Sequence, residues 1–162
     1  MRWMWIDRFT EFVPGERAVA IKNVSLAEEH LHDHFEAFPV QPPSLMIEGM
    51  AQTGGILVGQ ARDFKENVVL AKITRAQFDD ICLPGDQITY EVEIQSIAPE
   101  AAATKGTVYK NGTVIGEINL MFSYANKDAH SKEGLSLPEE NFVFTGSFER
   151  MVEPFLEGLA DG

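Results

Sequence analysis

A histidine and a glutamate, His34 and Glu48, are the residues whose types and setting best suit acid/base chemistry. They lie on either side of a proline-rich turn, within the segment HFEAFPVQPPSLMIEGMAQ at residues 34 to 52. Burial raises the pKa of a carboxyl group and lowers that of an imidazole, which brings such a pair into the range that suits proton transfer near neutral pH. Together the two residues predict a catalytic site, although either one alone would fit a solvent-exposed or structural position equally well.

The segment that contains Glu48 is predicted to be a buried helix. Residues 44 to 59 are apolar except for a few polar side chains and the glycines, and such a run is typical of a helix inside a protein. Pro42 and Pro43 fit its start, because the first helical residue needs no N–H donor. Gln52 follows Glu48 by one helical turn and shares its face. Since an unpaired buried carboxylate is costly, Glu48 is expected to be paired, protonated or exposed.

These residues resemble the signature of the FabZ-type 3-hydroxyacyl-acyl carrier protein dehydratases, which is approximately HFPGxPVxPGxLxxEAxAQ. The residues that match it in type and spacing are His34, Phe35, Pro39, Val40, Pro42, Leu45, Glu48, Ala51 and Gln52. Upstream, WIDRFTEFVPGERAVAIKNVSLAE is similar to the family's opening strand pair, and downstream FDDICLPGDQITYEVEI is similar to its FxxxxxPGDxL segment. The resemblance extends over about residues 5 to 125. It implies an α+β hotdog fold, in which a curved antiparallel β-sheet wraps a long central helix.

The resemblance also implies a reaction of fatty acid biosynthesis, the family's usual setting, with polyketide or other lipid pathways as alternatives. In this family the histidine removes a proton α to a thioester carbonyl, and the acidic residue assists departure of the β-hydroxyl as water. His34 is then the general base and Glu48 the general acid, with no metal or organic cofactor. An apolar tunnel holds the acyl chain, and the expected substrate-binding residues are Phe35, Val40, Pro43, Ser44, Leu45 and Gln52.

Assembly and carrier follow from the same resemblance. The family builds its active site across a homodimer, so His34 and Glu48 of one site are expected from different subunits, in a dimer alone or in a trimer of dimers. The acyl group is expected on acyl carrier protein or on coenzyme A.

Two departures from the signature affect the proposed site. Pro43 stands where the family has a glycine whose N–H polarises the thioester carbonyl, and proline has no N–H. Loss of one oxyanion donor costs on the order of 100- to 1000-fold in rate, unless another group such as the N–H of Ser44 replaces it. Glu36 and Ala37 replace a Pro-Gly turn, and the Glu36 carboxylate so close to His34 would favour the protonated imidazole.

A third departure concerns charge. Asp79 and Asp80 stand where these dehydratases often have basic residues that receive the acidic carrier protein, and the chain has a net charge of -12. Like charges slow association. A coenzyme A thioester, a different carrier surface or a local basic patch would each avoid the repulsion; that patch would consist of Arg62, Lys65, Lys72 and Arg75. The acidity also argues against binding to nucleic acid.

Two other functions fit parts of the sequence. Hotdog folds also include acyl thioesterases and non-catalytic acyl-binding proteins; Glu48 can activate water, and Pro43 favours these alternatives. A metal enzyme is suggested by HLHDH at residues 30 to 34, because three imidazoles that alternate along a strand would share a face and can bind zinc. The preceding Ala27-Glu28-Glu29 favours a helix, which would separate the imidazoles, so no metal site is the preferred interpretation.

Composition sets limits on the class of protein. With 162 residues, 44% of them hydrophobic and 23% charged, the chain fits one soluble globular domain with a sizeable core. The single cysteine, Cys82, excludes an intramolecular disulfide and a cysteine-based zinc site, and is expected to be a buried, inert thiol. MRWMWIDRF lacks the apolar region of a secretory signal, and no apolar run approaches the roughly 20 residues that span a bilayer. We therefore expect a cytoplasmic protein without a membrane partner.

The segments around the helix are predicted to be antiparallel strands. Residues 8 to 24 alternate about a Pro14-Gly15 turn, and the later strands are separated by Pro84-Gly85 and Asn111-Gly112 turns. These later strands are VVLAKI, QITYEVEIQSI, AATKGTVYK and TVIGEINLMFSYA. One apolar helix followed by several strands predicts an α+β domain in which the sheet covers the helix.

The last part of the chain is predicted to be separate from this domain. Residues 1–125 are expected to form the hotdog domain, and residues 126–162 a polar linker followed by an amphipathic extension. Phe144, Phe148, Met151 and Phe155 recur at helical spacing in that extension. We expect it to pack on the body or on a neighbouring subunit, with a lid over the tunnel as the alternative.

Overall fold

The computed structural model describes residues 4–35, 37–125 and 146–157 of the chain. In chain order the elements are β1 (Arg8–Val13), β2 (Arg17–Asn23), α1 (His30–His34), α2 (Pro43–Gln60), β3 (Asn67–Phe78), β4 (Gln87–Ile97), β5 (Ala101–Lys110), β6 (Thr113–Ala125) and α3 (Gly146–Leu156). No helix in these ranges is both long enough and apolar enough to cross a membrane.

The six strands form one antiparallel sheet in the order β1-β2-β4-β5-β6-β3. The α2 helix packs across it and contacts every strand from β2 to β6, which confirms the predicted α+β architecture. The predicted hairpins are also confirmed. Between β5 and β6, Asn111 and Gly112 have φ of 49° and 85°, the left-handed conformations that a two-residue turn of this kind requires.

The core lies between α2 and the sheet. Its largest fully buried side chains include Met46, Met50 and Leu57 from α2, and Ile88 and Tyr90 from β4. The packing is close, since a Cβ placed on Gly106 of β5 would lie 2.4 Å from Sδ of Met50. Burial of these apolar side chains is the main free-energy term that holds α2, and with it Glu48, on the sheet.

The two edges of the sheet differ in what covers them. Near β1, α3 packs on the sheet: Val152 is buried in the main core, and the Phe155 ring lies 6.4 Å from that of Phe12. Phe144 and the side chain of Phe148 lie outside the described residues. At the other edge, every residue of β3 from 69 to 77 is exposed, including Val69, Leu70 and Ile73.

Candidate active site

His34 is the last residue of α1, a helix of five residues that its single buried side chain, Leu31, fixes in the core. The helix ends because the next residue, Phe35, has an extended backbone with φ of -136°. The Phe35 ring is 53% exposed and lies 4.3 Å from the His34 imidazole, centroid to centroid. His34 is itself exposed, so its ring nitrogens are accessible to a substrate.

The loop before α1 is held by a buried ion pair. Lys22 of β2 is only 6% exposed, and its Nζ donates to Glu28 Oε1 over 2.5 Å and to the carbonyl of Asn23 over 2.9 Å. The other oxygen of Glu28 accepts from the N–H of Ser25 at 3.0 Å. These contacts fix the path of the chain from β2 into α1 and therefore the position of His34.

The start of α2 offers one backbone N–H group to a ligand. Pro42 caps the helix with an extended backbone and Pro43 is its first residue, so neither has an N–H. The N–H groups of Leu45 and Met46 donate to the Pro42 carbonyl, at 3.0 and 3.2 Å. In the part of the chain that the structure describes, the N–H of Ser44 has no recorded acceptor, and Ser44 is exposed.

Glu48 is half-buried in the second turn of α2 and is oriented by hydrogen bonds. Gln52 Nε2 donates to Glu48 Oε1 over 2.9 Å, and Gln52 Oε1 accepts the backbone N–H of Trp5 over 2.8 Å. Since the amide oxygen of Gln52 accepts from Trp5, its NH₂ group is directed at the carboxylate. Among the described residues, Glu48 Oε2 has no recorded hydrogen bond, which leaves that oxygen for a ligand or a proton.

The predicted site residues are not all brought together within one chain. Gln52 contacts Glu48, and Phe35 contacts His34, but the structure records no hydrogen bond or ion pair between His34 and Glu48 in the ranges that it describes. Val40 is buried in the core, Pro43 and Ser44 are exposed, and Leu45 is half-buried. Within the described part of one chain, therefore, no direct polar contact joins the two candidate catalytic groups.

The zinc alternative lacks the strand on which it depends. Residues 30 to 34 are helical, and their imidazoles have different partners: His30 Nε2 lies 2.8 Å from Gln41 Oε1, and His32 Nε2 lies 2.7 Å from the carbonyl oxygen of Leu26. Within the described ranges, no cluster of His, Cys, Asp or Glu side chains is arranged to hold a metal ion.

Two other titratable side chains, Cys82 and Asp80, have environments that indicate a structural role. Cys82 is buried, as predicted, and burial raises the pKa of its thiol to about 11, so the thiol stays protonated and unreactive at neutral pH. Asp80 accepts a hydrogen bond from Lys110, and this bond lowers the pKa of Asp80. Lys110 also donates to the Ile81 carbonyl over 3.1 Å. The pair neutralises one of the two acids expected to repel an acidic carrier.

The proposed basic patch is largely committed to local contacts. The Arg62 guanidinium lies 4.8 Å from the centre of the Tyr124 ring and donates to the Ala98 carbonyl, and Lys65 pairs with Asp63. Arg75 interacts with Glu117 and Gln77, whereas Lys72 is exposed.

Sequence reasoning missed Trp5 and the Lys22–Glu28 pair. Trp5 reaches Gln52 through its backbone N–H, which any residue type provides, so no side-chain signal marks it. Lys22 carries a weak signal: it lies among buried apolar residues of β2 (Ala18, Val19, Ala20 and Ile21), where a lysine requires a partner.

Comparisons with known proteins agree with this architecture. Residues 2–119 match the model of the FabA-like domain family. The chain is 35% identical over 129 residues to a protein named 3-hydroxyacyl-[acyl-carrier-protein] dehydratase FabZ from Geobacillus thermodenitrificans, a match that covers 79% of this chain and 89% of the relative. It is 39% identical over 119 residues to the FabZ of Hydrogenobaculum sp., covering 72% and 80% of the two chains.

Solved structures resemble the fold at low sequence identity. The dehydratase heterocomplex ApeI:P from Xenorhabdus doucetiae superposes with a TM-score of 0.65 at 16% identity, covering 77% of this chain and 85% of that one. A hypothetical thioesterase protein with coenzyme A from Streptococcus pneumoniae gives a TM-score of 0.60 at 8% identity, covering 73% and 84%. These likenesses confirm the predicted hotdog fold.

Proposed function

The chain belongs to the FabA-like family, and from that membership we propose how its own residues perform the reaction. The protein is a 3-hydroxyacyl-acyl carrier protein dehydratase of the FabZ type, a hydro-lyase of fatty acid biosynthesis. The observation that supports Glu48 as its general acid is the hydrogen bond from Gln52, which fixes one carboxyl oxygen and leaves the other for the substrate.

In the proposed reaction, a ring nitrogen of His34 removes the proton from Cα of the 3-hydroxyacyl thioester. The electron pair of that C–H bond forms the Cα–Cβ double bond, the Cβ–O bond breaks, and Glu48 donates its proton to the departing hydroxyl, which leaves as water. His34 then releases its proton and Glu48 regains one. The products are a trans-2-enoyl thioester and water.

The developing negative charge on the thioester oxygen requires a donor. We place the N–H of Ser44 there, because Pro42 and Pro43 have no N–H and those of Leu45 and Met46 are used within the helix. An exposed N–H at a helix start suits an oxyanion, since the peptide dipoles add to its partial positive charge. In this scheme Phe35 and Leu45 contribute apolar surface along the acyl chain, whereas Val40 is buried.

A complete site requires a second copy of the chain. In the described residues no hydrogen bond or ion pair joins His34 and Glu48, and β3 has an exposed edge rich in apolar side chains. Pairing of two β3 edges would continue the sheet into the second subunit and cover that surface. We therefore propose a cytoplasmic homodimer in which each site takes His34 from one subunit and Glu48 from the other, with a trimer of dimers as the larger assembly.

The first test incubates the purified protein with 3-hydroxyacyl thioesters of acyl carrier protein and of coenzyme A, and follows enoyl product and free thiol. His34→Ala and Glu48→Gln should each lower kcat by about 100- to 10,000-fold, the usual range for general acid/base catalysis. His32→Ala is the matched control, because the hydrogen bond that the described residues show for this exposed histidine of the same helix is to the Leu26 carbonyl and not to a proposed site residue. Full enoyl production by either site variant would refute the assigned roles.

Pro43 at the first position of α2 favours one other activity, hydrolysis of the acyl thioester. A thioesterase would use Glu48 to activate water and would release free thiol without enoyl product. Free thiol that depends on Glu48 but not on His34 would assign the protein to that class. An absence of turnover with either carrier would instead indicate a non-catalytic acyl-binding protein.

A further inference from the structure

We propose that His30 is a positioning residue of this enzyme, which holds both His34 and Glu48 in their working geometry; this inference rests on the proposed roles of those two residues. His30 lies four residues before His34 in α1. Its imidazole is part of a continuous set of contacts that connects α1, the start of α2 and the segment before β1.

The first link is a hydrogen bond between His30 and Gln41. His30 Nε2 lies 2.8 Å from Gln41 Oε1; in this orientation of the amide the oxygen accepts and the ring nitrogen donates. Gln41 is 1% exposed, and its own N–H donates to the Cys82 carbonyl over 2.9 Å. Loss of the donor would leave a buried acceptor without a partner, which is more costly than loss of an exposed hydrogen bond. The bond therefore fixes α1 relative to the residue that precedes Pro42.

The second link is a ring contact between His30 and Trp5. Their centroids are 4.8 Å apart with an interplanar angle of 83°, an edge-to-face arrangement. The backbone N–H of Trp5 donates to Gln52, and Gln52 donates to Glu48. A shift of the Trp5 segment would therefore reach the carboxylate through two hydrogen bonds of 2.8 and 2.9 Å.

The α1 helix depends on such contacts because it has little stability of its own. It has five residues and no side-chain cap at its N-terminus, and a single helical turn is unfavourable without tertiary support. Leu31 fixes its depth in the core, but a single buried side chain leaves rotation about the helix axis free. His30 and His32 lie on either side of Leu31, but the His32 imidazole contacts the Leu26 carbonyl in the loop that leads directly into α1, whereas the contact of His30 with Gln41 can restrict this rotation. Of the two, only His30 binds a residue next to α2.

In the proposed dimer, His34 and Glu48 of one chain serve different active sites. His30 of each subunit then supports the base of one site and the acid of the other. Its loss should lower the rate of chemistry more than substrate binding, because these contacts lead to the two groups that are proposed to transfer protons. A misplacement of catalytic groups by 1 Å can cost about 100-fold in rate.

The experiment compares three variants of the full-length protein. His30→Phe keeps a ring against Trp5 but loses the hydrogen bond, His30→Gln keeps a donor for Gln41 but loses the ring, and His30→Ala loses both. We expect kcat to fall by about 10- to 100-fold in His30→Ala with KM within about 2-fold of wild type. His30→Gln should recover part of the kcat that His30→Phe loses. The control His32→Ala, at an exposed histidine of the same helix, should stay within about 2-fold of wild type.

A double-mutant cycle with Gln41→Met, which preserves side-chain length, tests the hydrogen bond itself. If the two residues act through that bond, combining His30→Phe with Gln41→Met should lower kcat little beyond the larger single effect. Circular dichroism and thermal unfolding of each variant show whether a loss of kcat comes from unfolding of the protein.

Two results would overturn the inference. One is a folded His30→Ala variant whose kcat stays within about 2-fold of wild type. The other result has two parts. The kcat of His30→Gln would be no higher than that of His30→Phe, and the kcat loss of the double variant His30→Phe/Gln41→Met would equal the product of the two single losses. The hydrogen bond would then have no role in catalysis. Wild-type protein that fails to dehydrate either thioester would refute the proposed function, and is detected before any His30 variant is assayed.

Discussion

At the scale of single residues, Gly49 shows how closely the surroundings of Glu48 are built. Gly49 follows Glu48 directly, where the family signature has alanine. In this chain the space of that missing methyl group is filled by Tyr90, because a Cβ on Gly49 would lie 2.5 to 2.6 Å from the Tyr90 ring and hydroxyl. Tyr90 is fully buried, and burial raises the pKa of its hydroxyl far above the usual range, so that hydroxyl stays neutral.

We expect Gly49→Ala to lower the free energy of unfolding. Overpacking a core typically costs about 1–3 kcal/mol, and contacts as short as 2.5 Å belong to the upper part of that range, about 2–3 kcal/mol. Alanine regains about 1 kcal/mol through its helix propensity, so the net loss should be about 1–2 kcal/mol. Urea unfolding measures it. Gly54→Ala, in the same helix, is the matched control: its Cβ would lie 3.3 Å from Phe122, and its stability should stay within about 1 kcal/mol of wild type. If Gly49→Ala were as stable as wild type, Tyr90 could move aside at no cost.

At the scale of elements, the positions of α1 and α2 have different origins. The α2 helix is held by its own buried apolar residues, whereas α1 depends on Leu31, the contacts of His30 and the loop that Lys22 and Glu28 hold. The Lys22–Glu28 pair is therefore the main polar anchor between β2 and the helix that carries His34.

The variant Lys22→Met should destabilise this region. Removal of one partner from a buried ion pair costs about 3–5 kcal/mol, but the Glu28 side chain is 25% exposed, so we expect a loss of about 1–3 kcal/mol. Lys65→Met is the control, because the side chains of the Lys65–Asp63 pair are 77% and 74% exposed and such a pair is worth at most about 1 kcal/mol. Denaturant unfolding of both variants makes the comparison. If Lys22→Met and Lys65→Met lost the same free energy of unfolding, burial would not strengthen the Lys22–Glu28 pair.

For the whole molecule, the exposed side chains of edge strand β3 in the described structure point to the proposed assembly. Open strand edges promote association with other strands, and the exposed side chains of this edge include Val69, Leu70 and Ile73. A dimer built there would complete the sheet and the active site together.

The variant Ile73→Glu places a charge in that proposed interface and should yield monomers in analytical ultracentrifugation. Burial of an unpaired charge costs several kcal/mol, which is enough to dissociate a moderate dimer. Dehydratase activity should fall with the dimer fraction, because each site needs two chains. Val114→Glu, at an exposed position near the β5–β6 turn, should leave both properties unchanged. A monomeric Ile73→Glu protein with full activity would place the whole site within one chain.

Elements with local signals could be predicted from the sequence alone. The apolar run from residue 44 to 59 is sufficient to predict α2, because a helix that is apolar on almost all sides must be buried. Asn111-Gly112 predicts its hairpin because those residue types tolerate positive φ. The spacing of His34 and Glu48 around the prolines was sufficient to suggest an acid/base pair and the family.

Contacts between residues far apart in the chain depend on the tertiary structure. Trp5 reaches Gln52 across 47 positions of the chain, and Tyr90 fills the space beside Gly49. Neither contact follows from periodicity, which fixes the direction of a side chain within its own element but not the element that it meets. The order of strands in the sheet and the packing of α2 across it bring Trp5 to Gln52 and Tyr90 to Gly49. Such contacts form only when the shapes of the two facing surfaces match.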